Sequence, residues 1–100
     1  MQFRFSPQAE SELEEISLYL VSESGSVEIA DRVVDSILGT IGLLAKFPYI
    51  GRKRDDDLSV GVRSFPAENY IIFYRIRNEE VQVIRILHGH RDISSILAGG

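Results

Sequence analysis

Apolar positions along this chain change their period once. Between Pro7 and Phe47 they recur every three or four residues, and from Val60 to His88 every second residue. The first spacing is that of a helix with one buried face, the second that of strands in a sheet. Ahead of both, Gln2 to Phe5 alternates around Phe3 and Phe5 and reads as a short strand. Ser6-Pro7 reads as a helix start: serine caps free backbone N–H groups, and proline suits a first turn where its missing N–H costs nothing. Ala9, Leu13, Ile16 and Leu20 then line one side, with glutamates crowding the N-terminal half of the other, where the helix dipole tolerates negative charge. Ser22 to Ser26, with Gly25, breaks this helix. A second runs from about Val27 to Phe47, with a wide stripe of Ala30, Val33, Val34, Ile37, Leu38, Ile41, Leu44 and Ala45. Gly39 and Gly42 cost about 1 kcal/mol each against alanine inside a helix. Close approach of the two helices is the expected reason, a hinge the alternative. Pro48 ends the helix, and the short turn between the helices predicts an antiparallel hairpin.

Tyr49 to Ser59 is expected to be a charged loop, followed by strands at Val60–Phe65, Tyr70–Arg77 and Glu80–His88. Turns at Pro66–Asn69 and Asn78-Glu79 make these an antiparallel meander. A last short helix is expected over Asp92–Leu97. The fold class is therefore α+β, in the order β-α-α-β-β-β: a helical hairpin on one face of a small, mainly antiparallel sheet. One domain is expected to span residues 1–100.

The turns imply a register. Arg77 faces Glu80, so Phe73 faces Ile84 and Ile72 faces Arg85; Phe65 faces Tyr70, so Arg63 faces Ile72. One sheet face then carries Val62, Ile71, Phe73, Ile84 and Ile86, and is expected to pack under the helices. The other carries Arg63, Phe65, Tyr70, Ile72, Tyr74, Val83, Arg85 and Leu87. With one helical layer available, this second face is expected to stay open. An open apolar patch carrying tyrosine and arginine has the composition of a binding site. Two arginines in one cross-strand row call for an anion between them, a partner's carboxylate or a phosphate. A solvated face, with arginine stems lying over apolar surface, is the plainer alternative. A one-residue slip would exchange the faces.

Charge and composition narrow the function. The chain carries a net charge of −4, with eight acids against three bases in residues 1–50 and eight bases against seven acids in residues 51–100. This is not the basic surface of a general nucleic-acid binder. There is no cysteine, hence no disulfide framework or Cys-based metal site. No apolar run approaches the ~18 residues of a membrane span, and Met1 to Pro7 lacks the regions of a signal peptide. A cytoplasmic setting without membrane contact is the expectation. Asp55, Asp56 and Asp57 invite a metal reading, but consecutive residues do not readily converge on one ion, so a solvated loop is expected. His88 and His90 could hold a metal only with a third ligand, and none is evident. No cofactor is expected.

Several words of sequence taken together resemble the RelE/ParE toxin superfamily, and its ParE branch in particular. They are Phe5-Ser6-Pro7 with Ala9, Leu13 and Ile16; Phe47-Pro48-Tyr49-Ile50-Gly51-Arg52; Gly61-Val62-Arg63-Ser64-Phe65-Pro66; Asn69-Tyr70-Ile71-Ile72-Phe73-Tyr74-Arg75; and Ile84-Arg85-Ile86-Leu87-His88-Gly89-His90-Arg91-Asp92. The resemblance spans nearly the whole chain and implies the toxin of a type II toxin–antitoxin system. RelE-like members cut messenger RNA on the ribosome, whereas ParE-like members resemble inhibitors that poison DNA gyrase. Both are held inactive by a cognate antitoxin, whose N-terminal part usually binds operator DNA and whose C-terminal part wraps the toxin.

The residues favour the second branch. Cutting RNA through its 2′-OH needs a base or its substitute, charge stabilisation at the phosphate and an acid for the leaving oxygen. Where RelE-like nucleases resemble one another in carrying lysines, this chain has Ser59 and Gly61. Ile71 stands at their middle-strand arginine and Leu97 near their tail tyrosine, so only Arg91 matches. His90 lies close to a histidine used by some nuclease members, and with Arg91 it forms the alternative catalytic set. The plainer role for His88 and His90 is hydrogen bonding at the sheet end or contact with a partner. The expected reading is a non-enzymatic ParE-like toxin that inhibits gyrase by binding. A ParD-like antitoxin neutralises it in a hetero-oligomer, and DNA is reached only through that antitoxin. The candidate binding residues are Arg63, Phe65, Tyr70, Tyr74, Arg85, His90 and Arg91. The alternatives are a ribosome-dependent endonuclease and a weakened toxin that serves only as an antitoxin-binding module.

Overall fold

The computed structural model describes residues 1–89. The elements are β1 (Gln2–Phe5), α1 (Pro7–Ser24), α2 (Val27–Lys46), β2 (Arg52–Lys53), β3 (Arg63–Ala67), β4 (Tyr70–Arg77) and β5 (Glu80–His88). The strands form one sheet in the order β1-β5-β4-β3-β2. β1 runs parallel to β5, and the other pairs are antiparallel. The α+β class and the helical hairpin on one sheet face are as the sequence led us to expect. The expected Asp92–Leu97 helix lies outside the described residues.

The helices start and stop where side chains satisfy their ends. Ser6 Oγ accepts the Ala9 N–H at 3.0 Å, and Ser26 Oγ accepts the Ile29 N–H at 3.2 Å. Gly25 closes α1 at φ 70°, its N–H donating to Val21 O. Only glycine adopts that left-handed geometry without strain.

The faces of the sheet divide much as expected, but the helices cover the other one. Phe65, Tyr70, Ile72, Tyr74 and Val83 share a face, yet they pack beneath the hairpin against Ala9, Ile16, Val33, Ile37, Ile41 and Leu44. Val62, Phe73 and Leu87 lie on the far side, with Leu58, Ile71 and Ile84 against them. Both faces are apolar, so periodicity gave no basis for choosing which the helices cover.

Two irregularities change the register. Ala67 faces Tyr70, so the β3–β4 turn is the two residues Glu68-Asn69, and Pro66 belongs to the strand. The β2 ladder ends at Ser64. Beyond it, among the described residues, β3 is an edge strand, where a missing N–H is tolerated. Phe65 therefore faces Ile72 and Arg63 faces Tyr74. This slide by two preserves the faces. The second irregularity does not. Tyr74 faces Val83 but Phe73 faces Arg85, so Ile84 is an extra, bulged residue. Past the bulge Ile86 joins the helix side and Leu87 leaves it.

The far face is covered in part by residues 54–62, where the sequence predicts a loop as far as Ser59 and a strand from Val60; the strand begins only at Arg63. Arg54 N–H donates to Val62 O at 2.9 Å and closes the segment back on β3. Leu58 and Val62 then reach the far-face cluster. Gly39 and Gly42 contradict the expected close helix–helix approach: among the described residues a Cβ added at either would meet nothing within 4 Å.

Candidate functional site

The expected row of paired arginines does not exist. Arg63 shares a row with Tyr74 and Val83, and Arg85 shares the adjacent row with Phe73 and Ser64. Adjacent rows point to opposite faces, so no anion is needed between them. The bulge at Ile84 is the physical cause. Each arginine has its own partners instead.

Arg63 holds the segment between α2 and β2. Its Nη1 donates to the carbonyls of Tyr49 at 3.1 Å and Gly51 at 2.9 Å, and its guanidinium lies 5.2 Å from the Tyr49 ring centroid. Tyr74, fully buried, works on the same segment from below. Its hydroxyl donates to Pro48 O at 2.7 Å and accepts the Gly51 N–H at 3.0 Å. Burial pushes the Tyr74 phenol above its ordinary value, opposed by the Gly51 hydrogen bond and by Arg63. A Cβ at residue 51 would overlap this phenol, with ring carbons at 2.7 and 2.8 Å. The sequence word from Phe47 to Arg52 is therefore a structural one: proline ends the helix, and glycine admits the tyrosine. Phe65, half-buried, packs against the main core.

Arg85 belongs to a second place, at the end of the sheet nearest α1. β1 pairs with β5 only as far as Phe5 and Val83. Beyond that point the same edge of β5 carries no strand among the described residues, and the start of α1 plugs it. Ser6 N–H donates to Val83 O at 2.9 Å, and Ser6 Oγ donates to Ile84 O at 2.6 Å. Glu12 Oε1 accepts the Ile86 N–H at 2.9 Å, while Oε2 accepts from Arg85 Nε at 2.8 Å and Nη2 at 2.6 Å. One carboxylate thus caps the sheet edge and pairs with the arginine that follows the bulge.

Sequence reasoning missed Glu12. Its signal was its position, three residues after Ala9 and four before Ile16, on the buried side of the helix, not among the solvated glutamates.

Next to this edge lies a groove of about 530 Å³. Ile16, Tyr70, Ile86 and Leu87 are its buried lining, Glu12, Glu15 and Tyr19 line it from α1, and His88 lines it from the end of β5. Tyr70 stacks edge-on against His88, with ring centroids 5.6 Å apart. Its phenol is raised above the ordinary value, first by burial and then by Tyr19. His90 and Arg91 lie outside the described residues.

The aspartate run has structural work. Asp55 Oδ1 accepts the Gly61 N–H at 2.9 Å. Asp57 pairs with Arg54 at 2.6 Å, and that hydrogen bond holds its carboxyl below the usual value. Arg54 also donates to Ser64 Oγ and lies over the Phe73 ring. Among the described residues no three acids or histidines converge as a metal site would require.

The sequence and fold match known proteins. The family model described as ParE toxin of type II toxin–antitoxin system, parDE, matches residues 3–93. Toxin ParE3 of Caulobacter vibrioides is 32% identical over 77 residues, covering 77% of this chain and 76% of that protein. Toxin RelE3 of the same organism is 30% identical over 82 residues, covering 82% and 87%. Among solved structures, a chain of the chromosomal ParDE system from P. aeruginosa superposes with a TM-score of 0.76 at 24% identity, covering 88% of this chain and 95% of that one. A chain of the RelBE2 toxin–antitoxin complex from Mycobacterium tuberculosis gives 0.57 at 24% identity, covering 87% and 95%.

Proposed function

The chain belongs to the ParE toxin family of type II toxin–antitoxin systems, and from that premise we propose that it acts by binding DNA gyrase and is neutralised by a ParD-like antitoxin. The observation that carries binding over cutting is the use made of the polar groups on the sheet. Arg63 is committed to two loop carbonyls, Arg85 to Glu12, and Tyr74 to Pro48 and Gly51. A nuclease needs such groups turned toward a phosphate, with a base and an acid at hand. Gly61 and Ile71 offer neither.

The groove along β5 suits the antitoxin. The edge of β5 beside it is already taken by Ser6 and Glu12, so the groove would select the side chains of an extended segment laid along it. Ile16, Tyr70 and Ile86 offer an apolar floor, and the exposed Glu15 offers a carboxylate to a basic side chain. The complex is expected to form in the cytoplasm, away from any membrane.

The test is expression of the chain alone, beside assays on purified components. The expected result is filamentation and a DNA-damage response, inhibited gyrase supercoiling, and protection by antitoxin that Glu15→Lys with Tyr19→Asp weakens. Likeness to RelE3 keeps ribosome-dependent mRNA cleavage as the competing reading. Transcript cutting on translating ribosomes that vanishes in His90→Ala would establish that reading instead. Unimpaired growth with antitoxin binding intact would indicate a weakened toxin kept as a binding module.

A further inference from the structure

The outer face of α2 presents apolar side chains to solvent in an ordered pattern. Leu38 and Leu43 are 36% and 40% exposed. Asp35 and Lys46 are also exposed, and among the described residues neither has an ion-pair partner. Gly39 and Gly42 sit between them, on the side opposite Ile37, Ile41 and Leu44. Neither glycine is required by contacts among the described residues, where a Cβ meets open space.

These six positions mirror one another about the midpoint between Thr40 and Ile41: Asp35 with Lys46, Leu38 with Leu43, and Gly39 with Gly42. At about 100° per residue, Leu38 and Gly42 fall on one flank of the outer line, and Leu43 and Gly39 on the other. A two-fold axis level with that midpoint, lying just outside the helix and running across its outer face, lays a second α2 antiparallel over the first. Leu38 then meets Gly42 of the second copy, with a height offset of about 1.5 Å, and Leu43 meets its Gly39 in the same way. Asp35 of each copy comes level with Lys46 of the other. Leucines fill the hollows over glycines, and opposite charges meet at both ends. A two-fold interface must be self-complementary in this way.

We propose that the outer face of α2 is a homodimer interface, occupied by the same face of a second copy of this chain. Charge complementarity selects this occupant, because an unrelated helix has no reason to carry its charges at the mirrored positions. A single helix pair lies at the small end of specific interfaces, so association is reversible and concentration-dependent. α2 contributes nothing to the lining of the α1–β5 groove, so the proposal stands or falls separately from antitoxin binding there.

The test is sedimentation of the full chain over a concentration series at low salt. The expected result is a shift from 11.3 kDa toward twice that mass. Gly39→Gln with Gly42→Gln is expected to abolish the shift while circular dichroism and Tm show a fold at least as stable. Asp35→Lys and Lys46→Asp each set like charges together at two symmetric places, weakening association about tenfold or more. The double variant D35K/K46D restores it. Residues 35 and 46 are about 16 Å apart along one helix, so rescue cannot arise within a single copy. A monomer at every concentration, a dimer that survives both glutamines, or a double variant that stays monomeric would overturn the proposal.

Discussion

Tyr74 holds the chain between α2 and β2 through a single oxygen, which donates to Pro48 O and accepts from Gly51 N–H. Tyr74→Phe keeps the ring and removes both bonds, leaving a buried N–H without an acceptor. That is expected to cost roughly 1–3 kcal/mol, read as a lower urea midpoint at unchanged slope. The same residue gives a pH signature. Burial keeps the phenols of Tyr70 and Tyr74 protonated above their usual value of 10.0. The folded chain therefore holds these protons longer than the unfolded one. The stabilisation is complete below pH 10 or so and is lost as pH rises through the folded values. The urea midpoint is expected to fall above that pH, and to fall less steeply in Tyr74→Phe. Little of this was legible in the sequence. A phenol or a guanidinium on a strand looks the same whether it meets a partner or staples a loop, and the deciding atoms are main-chain carbonyls that carry no letter. Gly51 was the one visible trace, since only a residue without a Cβ admits the buried ring.

Elements that depend on local pattern were legible, and those that depend on one extra residue were not. The limits of β4 and β5 follow from alternation, and the cap residue Ser6 follows from its chemistry. Alternation left one trace of the bulge at Ile84, the charged Arg85 falling on the face of Val81 and Val83, and that trace reads equally as part of a binding face. That insertion moved Arg85 out of the expected site and into the reach of Glu12. The β4–β5 turn gives a test at this scale. Asn78 and Glu79 both have positive φ, 54° and 58°, the geometry that favours Asn-Gly in a two-residue hairpin. Asparagine tolerates it, and glutamate bears a steric cost. Glu79→Gly is expected to stabilise the fold by about 1 kcal/mol, seen as a raised urea midpoint. A neutral or lower midpoint would mean that the Glu79 side chain contributes a contact in solution that offsets its backbone strain.

Across the whole molecule the sheet separates two clusters of unequal size. The larger lies beneath the helices, where Ile37, Ile41, Leu44, Ile72, Val81 and Val83 are fully buried. The smaller rests on Val62, Phe73 and Leu87, with Leu58 reaching it from the 54–62 segment. The groove is built on the larger side, because α1 must be fixed against β5 for Glu12 to cap its edge. The smaller side is tied by the backbone closure at Arg54 and Val62, the Arg54–Asp57 pair and the Asp55 contact with Gly61 N–H. Few buried apolar contacts hold that segment, so local opening there costs less than global unfolding. Hydrogen exchange is expected to show amides of 54–62 exchanging well ahead of those of β4 and β5. Ile72→Ala is expected to cost about 2–5 kcal/mol, as for a fully buried aliphatic residue. Leu58→Ala removes side-chain area that is only partly withdrawn from water, and is expected to cost roughly 1 kcal/mol. It should speed exchange in its own segment and leave β5 unchanged. Equal protection on the two sides would mean that the 54–62 segment opens only with the sheet, and that both faces form one cooperative unit.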